Sequence, residues 1–290
     1  MHDSIRTKLL RDGYVILDDF LSDAEVKELK TAGEELTDDL PEESSRTVFS
    51  TTQPKQNKDK YFLESSDKVS YFFENGAVDE SGKLLVDAKV SLNKVGHALH
   101  LLHPTFEKYT FSNKVKETCW QLGFSEPVIV QSMYIYKNPG VGSEVVAHQD
   151  ATFLHTEPTE LVGFWFALDD ATVENGCLWF APGTHHSGVH RRLIRNPDPN
   201  SDELLIFTAP APLYQSSMFQ PVPVRKGTCV LIHGQVVHKS EHNKSQHPRH
   251  AYTFHVFDQK RAKYSPENWL QLKEGYNFPA LYKSAPVSDV

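Results

Sequence analysis

PVIVQSMYIYKNPG, at positions 127–140, is where the character of the chain changes. Its run Val128–Tyr136 is β-branched and aromatic, the composition of a strand, and Asn138-Pro139-Gly140 after it is a turn signal. Downstream the pattern repeats. Leu161–Leu168, Cys177–Phe180, Thr228–Ile232 and Ala251–Phe257 read as strands, with turns at Glu174-Asn175-Gly176, Ala181-Pro182-Gly183 and Lys226-Gly227 between them. Many short strands with turns between them predict a barrel or jelly roll. Upstream the periodicity is helical. Ser22-Asp23-Ala24-Glu25 is a capping box, followed by Val26, Leu29 and Leu36 at roughly helical spacing. Ser91–Leu102 and Asn113–Leu122 each predict a helix with one apolar face, and the polar stretch 37–60 predicts a long loop. Helices in front and strands behind give an α+β class. The expectation is one domain over 1–290, with a mainly helical buttress at 1–126 and a jelly-roll core at 127–260.

Composition narrows the function. Hydrophobic residues are 39% and charged residues 23% of 290, with Gly 15 and Pro 17, which excludes a disordered or collagenous chain. A net charge of −8 gives no global attraction to nucleic acid or to an anionic membrane. Three cysteines without a CxxC pair exclude a disulfide scaffold and a Cys-rich zinc module, and they fit a reducing compartment. The longest apolar run is far too short to span a bilayer, and MHDSIRTKLLRDG at the start has no signal-peptide core. The end, PVSDV, is not an SKL-type tail. Together these predict a cytoplasmic protein, with the sequon at Asn243 unglycosylated.

The chemistry-bearing residues lie in the second half. His148-Gln149-Asp150 is His-x-Asp; within a strand, positions i and i+2 share a face and offer an imidazole and a carboxylate to one point. With a third ligand they would make a 2-His-1-carboxylate face, which leaves metal positions open. Taken alone, the triplet reads better as a surface turn or a satisfied core histidine. His238-Lys239-Ser240 and Arg249 improve the odds. If Thr228–Val237 and Arg249–Phe257 form a hairpin through 241–248, His238 and Arg249 meet at the barrel mouth. An arginine there suits the distal carboxylate of a small dicarboxylate, although a surface charge beside a turn is also common. His155-Thr156-Glu157 is a rival triplet, but Pro158 points to a loop. His233 is a rival distal ligand, but in an unbroken strand it faces away from His238. The basic stretch at 185–195 (His185, His186, His190, Arg191, Arg192, Arg195) reads as a solvated loop, with an anion-greeting role as the alternative. Trp179, Phe180 and Tyr252 read as core, and Cys177 and Cys229 as buried small hydrophobes. No G-x-S-x-G, G-x-G-x-x-G or P-loop is present to support a hydrolase or a nucleotide cofactor.

Over nearly its whole length the sequence resembles the phytanoyl-CoA dioxygenase family of Fe(II)/2-oxoglutarate oxygenases. The stretches that carry the resemblance are RDGYVILDDFLSDAE (11–25), SLNKVGHALH (91–100), IVQSMYIYK (129–137), HQDATFLHTEP (148–158), ATVENGCLWFAPGTH (171–185) and VLIHGQVVHKS (230–240), with AYTFH after them. It implies a double-stranded β-helix with flanking helices. It implies His148, Asp150 and His238 as iron ligands. Arg249 would hold the far carboxylate of 2-oxoglutarate with Ser240 beside it, and Lys94, Met133 and Trp165 would line the co-substrate pocket. It further implies O2 as co-substrate, admits ascorbate as reductant, and suggests hydroxylation of a small-molecule substrate such as an acyl-CoA or another anion. Three alternatives remain open: a sensor that binds metal and 2-oxoglutarate, an uncoupled 2-oxoglutarate oxidase, and a cupin-shaped zinc hydrolase that ignores O2.

Overall fold

A computed structural model describes residues 4–49 and 59–282. Six α-helices lie in its first half: α1 (Ile5–Asp12), α2 (Asp23–Glu35), α3 (Lys60–Leu63), α4 (Leu99–Leu102), α5 (Pro104–Thr110) and α6 (Asn113–Gln121). The strands there are β1 (Tyr14–Leu17), β2 (Thr47–Val48), β3 (Val69–Phe73) and β4 (Leu92–His97). The second half adds β5 (Pro127–Ile135), β6 (Val145–His148), β7 (Thr156–Glu157), β8 (Val162–Ala167), β9 (Leu178–Ala181) and β10 (Leu193–Arg195). It continues with β11 (Leu205–Phe207), β12 (Gln220–Val222), β13 (Cys229–His233), β14 (Val237–Ser240), β15 (Ala251–Asp258) and β16 (Lys263–Tyr264).

The capping box holds as read. Ser22 Oγ accepts from Glu25 N–H at 3.3 Å, and the Glu25 carboxylate accepts from Ser22 N–H at 2.7 Å, so α2 starts where the sequence says it should. Gly33 lets that helix press on the sheet. A Cβ at this position would lie 2.0 Å from the Tyr134 ring, and the Gly33 carbonyl accepts the Tyr136 hydroxyl at 2.7 Å.

Two sheets form the β core. The larger runs β1-β13-β8-β15-β5-β4-β3-β2 and the smaller β12-β9-β14-β6. Alternation along the larger sheet sorts its side chains. Phe164 and Phe166 of β8 and Tyr252 and Phe254 of β15 join Leu29, Phe106 and Val115 of the helices in one cluster. Trp165, Ala167, Val230 and Ala251 face inward and meet Leu178, Phe180 and Val222 of the smaller sheet. Helices cover one face and a second sheet the other, which is the double-stranded β-helix of an α+β protein.

Two expectations are corrected. Ser91–Leu102 is not one helix: Leu92–His97 is a strand between β3 and β5, and only Leu99–Leu102 is helical. Five of the six β4 residues are buried, so the alternation that marks a strand is erased. The hairpin joining Thr228–Val237 to Arg249–Phe257 does not form either. The run breaks after His233, so β13 stays in the larger sheet while β14 enters the smaller one. β15 pairs with β5 and β8 instead. Gly234 sits at the break, where a Cβ would come 2.8 Å from that of Leu161. Within the polar stretch 37–60, short 3-10 turns and β2 are present, while 50–58 lie outside the described residues. Asn243 is buried and its amide donates to the carbonyls of Lys137 and His247. No helix among the described residues is long and apolar enough to cross a membrane.

Candidate metal centre and co-substrate pocket

β6 and β14 are antiparallel neighbours, and His148 and His238 are partners in their register. The two imidazoles therefore stand side by side, with ring centroids 4.3 Å apart. Asp150 reaches them by a route the strand reasoning did not foresee. β6 ends at His148, and Asp150 opens a 3-10 turn, Asp150–Thr152, that swings its carboxylate back. Asp150 Oδ1 lies 3.5 Å from His148 Nε2 and 3.6 Å from His238 Nε2, and the three candidate ligand atoms lie within 4.8 Å of one another.

The ring tautomers suit a metal. His148 Nδ1 is 2.8 Å from the Val146 carbonyl and His238 Nδ1 3.1 Å from that of Val236. A carbonyl only accepts, so each Nδ1 carries the proton and each Nε2 turns a lone pair toward Asp150. The other carboxylate oxygen is held separately: His255 Nε2 is 3.1 Å from Asp150 Oδ2. Across a long contact of 3.4 Å the Gln131 amide faces His255 Nδ1, which fits a proton on His255 Nε2 donated to Asp150. Burial pushes the Asp150 carboxyl up, but the His238 and His255 imidazoles beside it and the hydrogen bond from His255 outweigh it and hold it well below the usual range. Burial pushes His238 down to about 4, so its imidazole is neutral at pH 7. Two imidazole nitrogens and one carboxylate oxygen on one side fit a divalent transition ion with positions left open.

Gly163 guards this arrangement. It faces Asp150 and His255 from β8, and a Cβ there would come 3.2 Å from Asp150 Oδ2 and 3.4 Å from His255 Nε2. His255 is the residue the sequence reading missed, although AYTFH contains it. It shares the inward parity of Ala251 and Thr253, the signal that could have found it. We expect His255→Phe to weaken Co(II) binding roughly ten- to a hundred-fold, the usual cost of losing a partner that orients a ligand. A Co(II) titration followed by its visible bands checks this, and an unchanged affinity would deny His255 any positioning role.

The remaining predicted residues share one cavity of about 460 Å³ with the triad. Register explains why. Lys94, Ile135, Ala251 and Ala167 form one row across β4, β5, β15 and β8, and Gly96, Met133, Thr253 and Trp165 form the next. Ser240 enters from β14. Arg249 precedes β15 and is 2% exposed. Its Nε donates to the Gly176 carbonyl at 3.1 Å, its guanidinium lies 5.2 Å from the Trp165 ring centroid, and its Nη1 is buried without a partner among the described residues. Burial lowers it to about 10, so it stays cationic at neutral pH. A buried guanidinium that lines a cavity and keeps an unpartnered donor fits a carboxylate ligand. Lys94 is also buried, 3.6 Å over the Phe49 ring, and desolvation pushes it down to about 7.

The rival residues fall elsewhere. His155 pairs with Glu157 at 3.4 Å, and His233 packs on His185 with ring centroids 5.1 Å apart. The parity argument against His233 fails in its premise, because the strand is broken, yet His238 is the one beside Asp150. Phe180 and Tyr252 are fully buried core and Trp179 is half-buried, while Cys177 and Cys229 are buried with thiols pushed up by desolvation. The stretch 185–195 is not the solvated loop expected. His185 is buried with Nε2 on the Leu10 carbonyl, Arg192 pairs with Glu267 at 2.9 Å, and His190 and Arg191 line the cavity.

Fold and site together define a class, the oxygenases that hold a non-haem metal on two histidines and a carboxylate inside a double-stranded β-helix. The sequence profile of the phytanoyl-CoA dioxygenase family matches residues 9–251, and the chain belongs to that family of dioxygenases. It is 48% identical over 284 residues to a phytanoyl-CoA dioxygenase domain-containing protein 1 homolog of Caenorhabditis elegans, covering 96% of this chain and 99% of that one. Among solved structures it is similar to the epimerase SnoN in complex with Fe3+, alpha ketoglutarate and nogalamycin RO, with a TM-score of 0.61 and 20% identity over 98% of this chain and 94% of that one. EctD from S. alaskensis, solved with 2-oxoglutarate and 5-hydroxyectoine, gives a TM-score of 0.59 and 18% identity over 90% and 79%. At such identities the structural likeness speaks for the fold.

Proposed function

We propose that this chain is an Fe(II)- and 2-oxoglutarate-dependent dioxygenase that converts 2-oxoglutarate to succinate and CO2 and hydroxylates a small organic or acyl substrate, acting as a single domain in the cytoplasm. The observation that carries the reading is one cavity holding both the His148–Asp150–His238 corner and Arg249 with its orphan donor. His148, Asp150 and His238 would hold the iron. Bound there with 2-oxoglutarate and O2, iron would supply the oxidation, one oxygen atom going to the new carboxylate of succinate and the other to the hydroxyl that replaces a substrate hydrogen. The chain's own part is binding and enclosure. Arg249 and Ser240 take the distal carboxylate, and Lys94 adds a second cation to the pocket. Trp165 and Met133 wall it, and His255 fixes Asp150. No side chain needs to act as a general base.

The test is anaerobic titration of the apo-protein with Fe(II) and then 2-oxoglutarate, read by visible absorbance. A charge-transfer band that needs both additions and is absent in His148→Ala supports the reading. Bound metal without a band overturns it and favours a metal-binding or hydrolytic role. Consumption of 2-oxoglutarate that no added compound stimulates would favour an uncoupled oxidase or a sensor.

Lys94 gives a second check. A lysine buried without a carboxylate costs stability while charged. Its folded value, about 7, lies below its unfolded value, so the unfolded chain binds more protons between about 7 and 10.5 and this penalty shrinks as pH rises through that window. We therefore expect Lys94→Met to raise Tm at pH 6, the gain to fade toward pH 10, and 2-oxoglutarate affinity to fall. A variant that melts lower at pH 6 would contradict this.

A further inference from the structure

The far end of the cavity bears on the substrate. Arg191 is half-buried there, with its guanidinium 3.9 Å from the Phe207 ring centroid. Its neighbours in the basic stretch are already engaged. Arg192 is held by Glu267 at 2.9 Å and Ser265 at 2.7 Å, and Arg195 Nε donates to the Trp269 carbonyl. Both ring nitrogens of His190 are bonded, to Ser187 and to the Tyr214 hydroxyl. Arg191 has no hydrogen-bond or carboxylate partner among the described residues. It lines the cavity beside Tyr214, Leu193 and Phe207. This end is the open one: Phe207 is 36% exposed, against 2% for Arg249.

Arg191 is also tied to the metal corner. Gln149, the buried residue between His148 and Asp150, donates through its amide to the carbonyls of Gly188 and Gln235 and accepts the His190 backbone N–H at 2.8 Å. The residue before Arg191 is thus pinned to the strand end that carries two of the three candidate ligands.

We propose that the prime substrate is a free carboxylic acid with a compact apolar body, its carboxylate taken by Arg191 at the mouth while its body lies along the wall toward the metal; this rests on the oxygenase reading above. One uncommitted planar guanidinium offers one bidentate fork, the match for a single carboxylate. The several phosphates of a CoA thioester would call for a cluster of free cations, and of the three arginines in this stretch Arg191 lines the cavity while Arg192, paired with Glu267, and Arg195 do not. In a chain of net charge −8 an acid also needs such a dedicated cation to overcome the surrounding field.

The test uses the full-length protein with 4-phenylbutanoate, its amide and its CoA thioester. Equilibrium dialysis measures binding, and succinate release with Fe(II) and 2-oxoglutarate measures turnover. The acid should bind about ten- to a hundred-fold more tightly than the amide, the range for one charge-assisted bidentate contact. Arg191→Gln should erase that preference and Arg191→Lys should restore part of it. Equal binding of acid and amide, binding of neither, a preference that survives Arg191→Gln, or tighter Arg191-dependent binding of the CoA thioester each overturn the proposal. Absence of succinate release under every condition, with the acid preference intact, would instead sink the oxygenase reading and leave an acid-binding site.

Discussion

Asp150→Asn should leave a folded protein that no longer retains metal. Asp150 is the hub of the corner: one oxygen lies between the two imidazoles, the other is held by His255, and its charge is the only formal charge in the donor set. An amide removes that charge. It also cannot offer an oxygen to both sides, so either the metal or His255 meets an N–H. Loss of an orienting partner alone costs roughly ten- to a hundred-fold in metal affinity, so loss of the ligand should cost at least about a hundred-fold. Succinate release should drop to background. Stability gives a readout free of turnover. Metal at a hundred times its Kd stabilises the wild type by about 2.7 kcal/mol, a rise in Tm that the variant should lack. Without metal the variant should melt somewhat below the wild type at pH 7, because the site holds the Asp150 carboxyl well below its usual range and so stabilises an ionised form that the amide lacks. A metal-induced rise equal to the wild type's would remove Asp150 from the site.

The turns and the strands with β-branched or aromatic runs were legible. So was the start of α2, because capping is local chemistry written in four residues. What escaped the sequence was set by burial on two faces. β4 carries apolar residues at spacings that also suit a helix, and with β3 and β5 beside it nothing in its pattern alternates. The break at Gly234 escaped for another reason. Its glycine is needed because Leu161 presses on it from a distant part of the chain, a contact with no local signature.

The site divides in the same way. Residue type and spacing make His148, Asp150 and His238 candidates, the family resemblance implies them as ligands, and the structure brings them together, but two of the geometric expectations do not hold. Asp150 arrives by a 3-10 turn rather than by strand parity, and His238 arrives by a change of sheet rather than by a hairpin. His255 and Gln149 stayed silent because they act through other side chains, across separations of 105 and 41 residues, on Asp150 and on the His190 backbone. In the sequence Arg191 reads no differently from its basic neighbours. Only their individual partners distinguish it from Arg192 and Arg195.

Arg249→Ala should act on the co-substrate rather than on the metal. Among the described residues no hydrogen bond or ion pair links Arg249 to the three candidate ligands, so Fe(II) or Co(II) affinity should stay within about twofold of the wild type, the expectation for independent sites. The variant should raise the KM for 2-oxoglutarate roughly ten- to a hundred-fold, the value of one charge-assisted bidentate contact. If the distal carboxylate is held equally in the ground and transition states, kcat at saturating 2-oxoglutarate should change much less than KM. Arg249→Lys should recover only part of the affinity, because an ammonium keeps the charge and loses the planar fork. Thermal stability is the wrong readout here. The substitution relieves a desolvated cation but also removes the bond to Gly176 and the packing on Trp165, effects of opposite sign. Steady-state kinetics in 2-oxoglutarate, beside a metal titration of the same variant, separate the outcomes. An unchanged KM would take Arg249 out of the co-substrate pocket. Metal affinity falling in step with KM would mean that Arg249 shapes the whole cavity and does not bind one carboxylate.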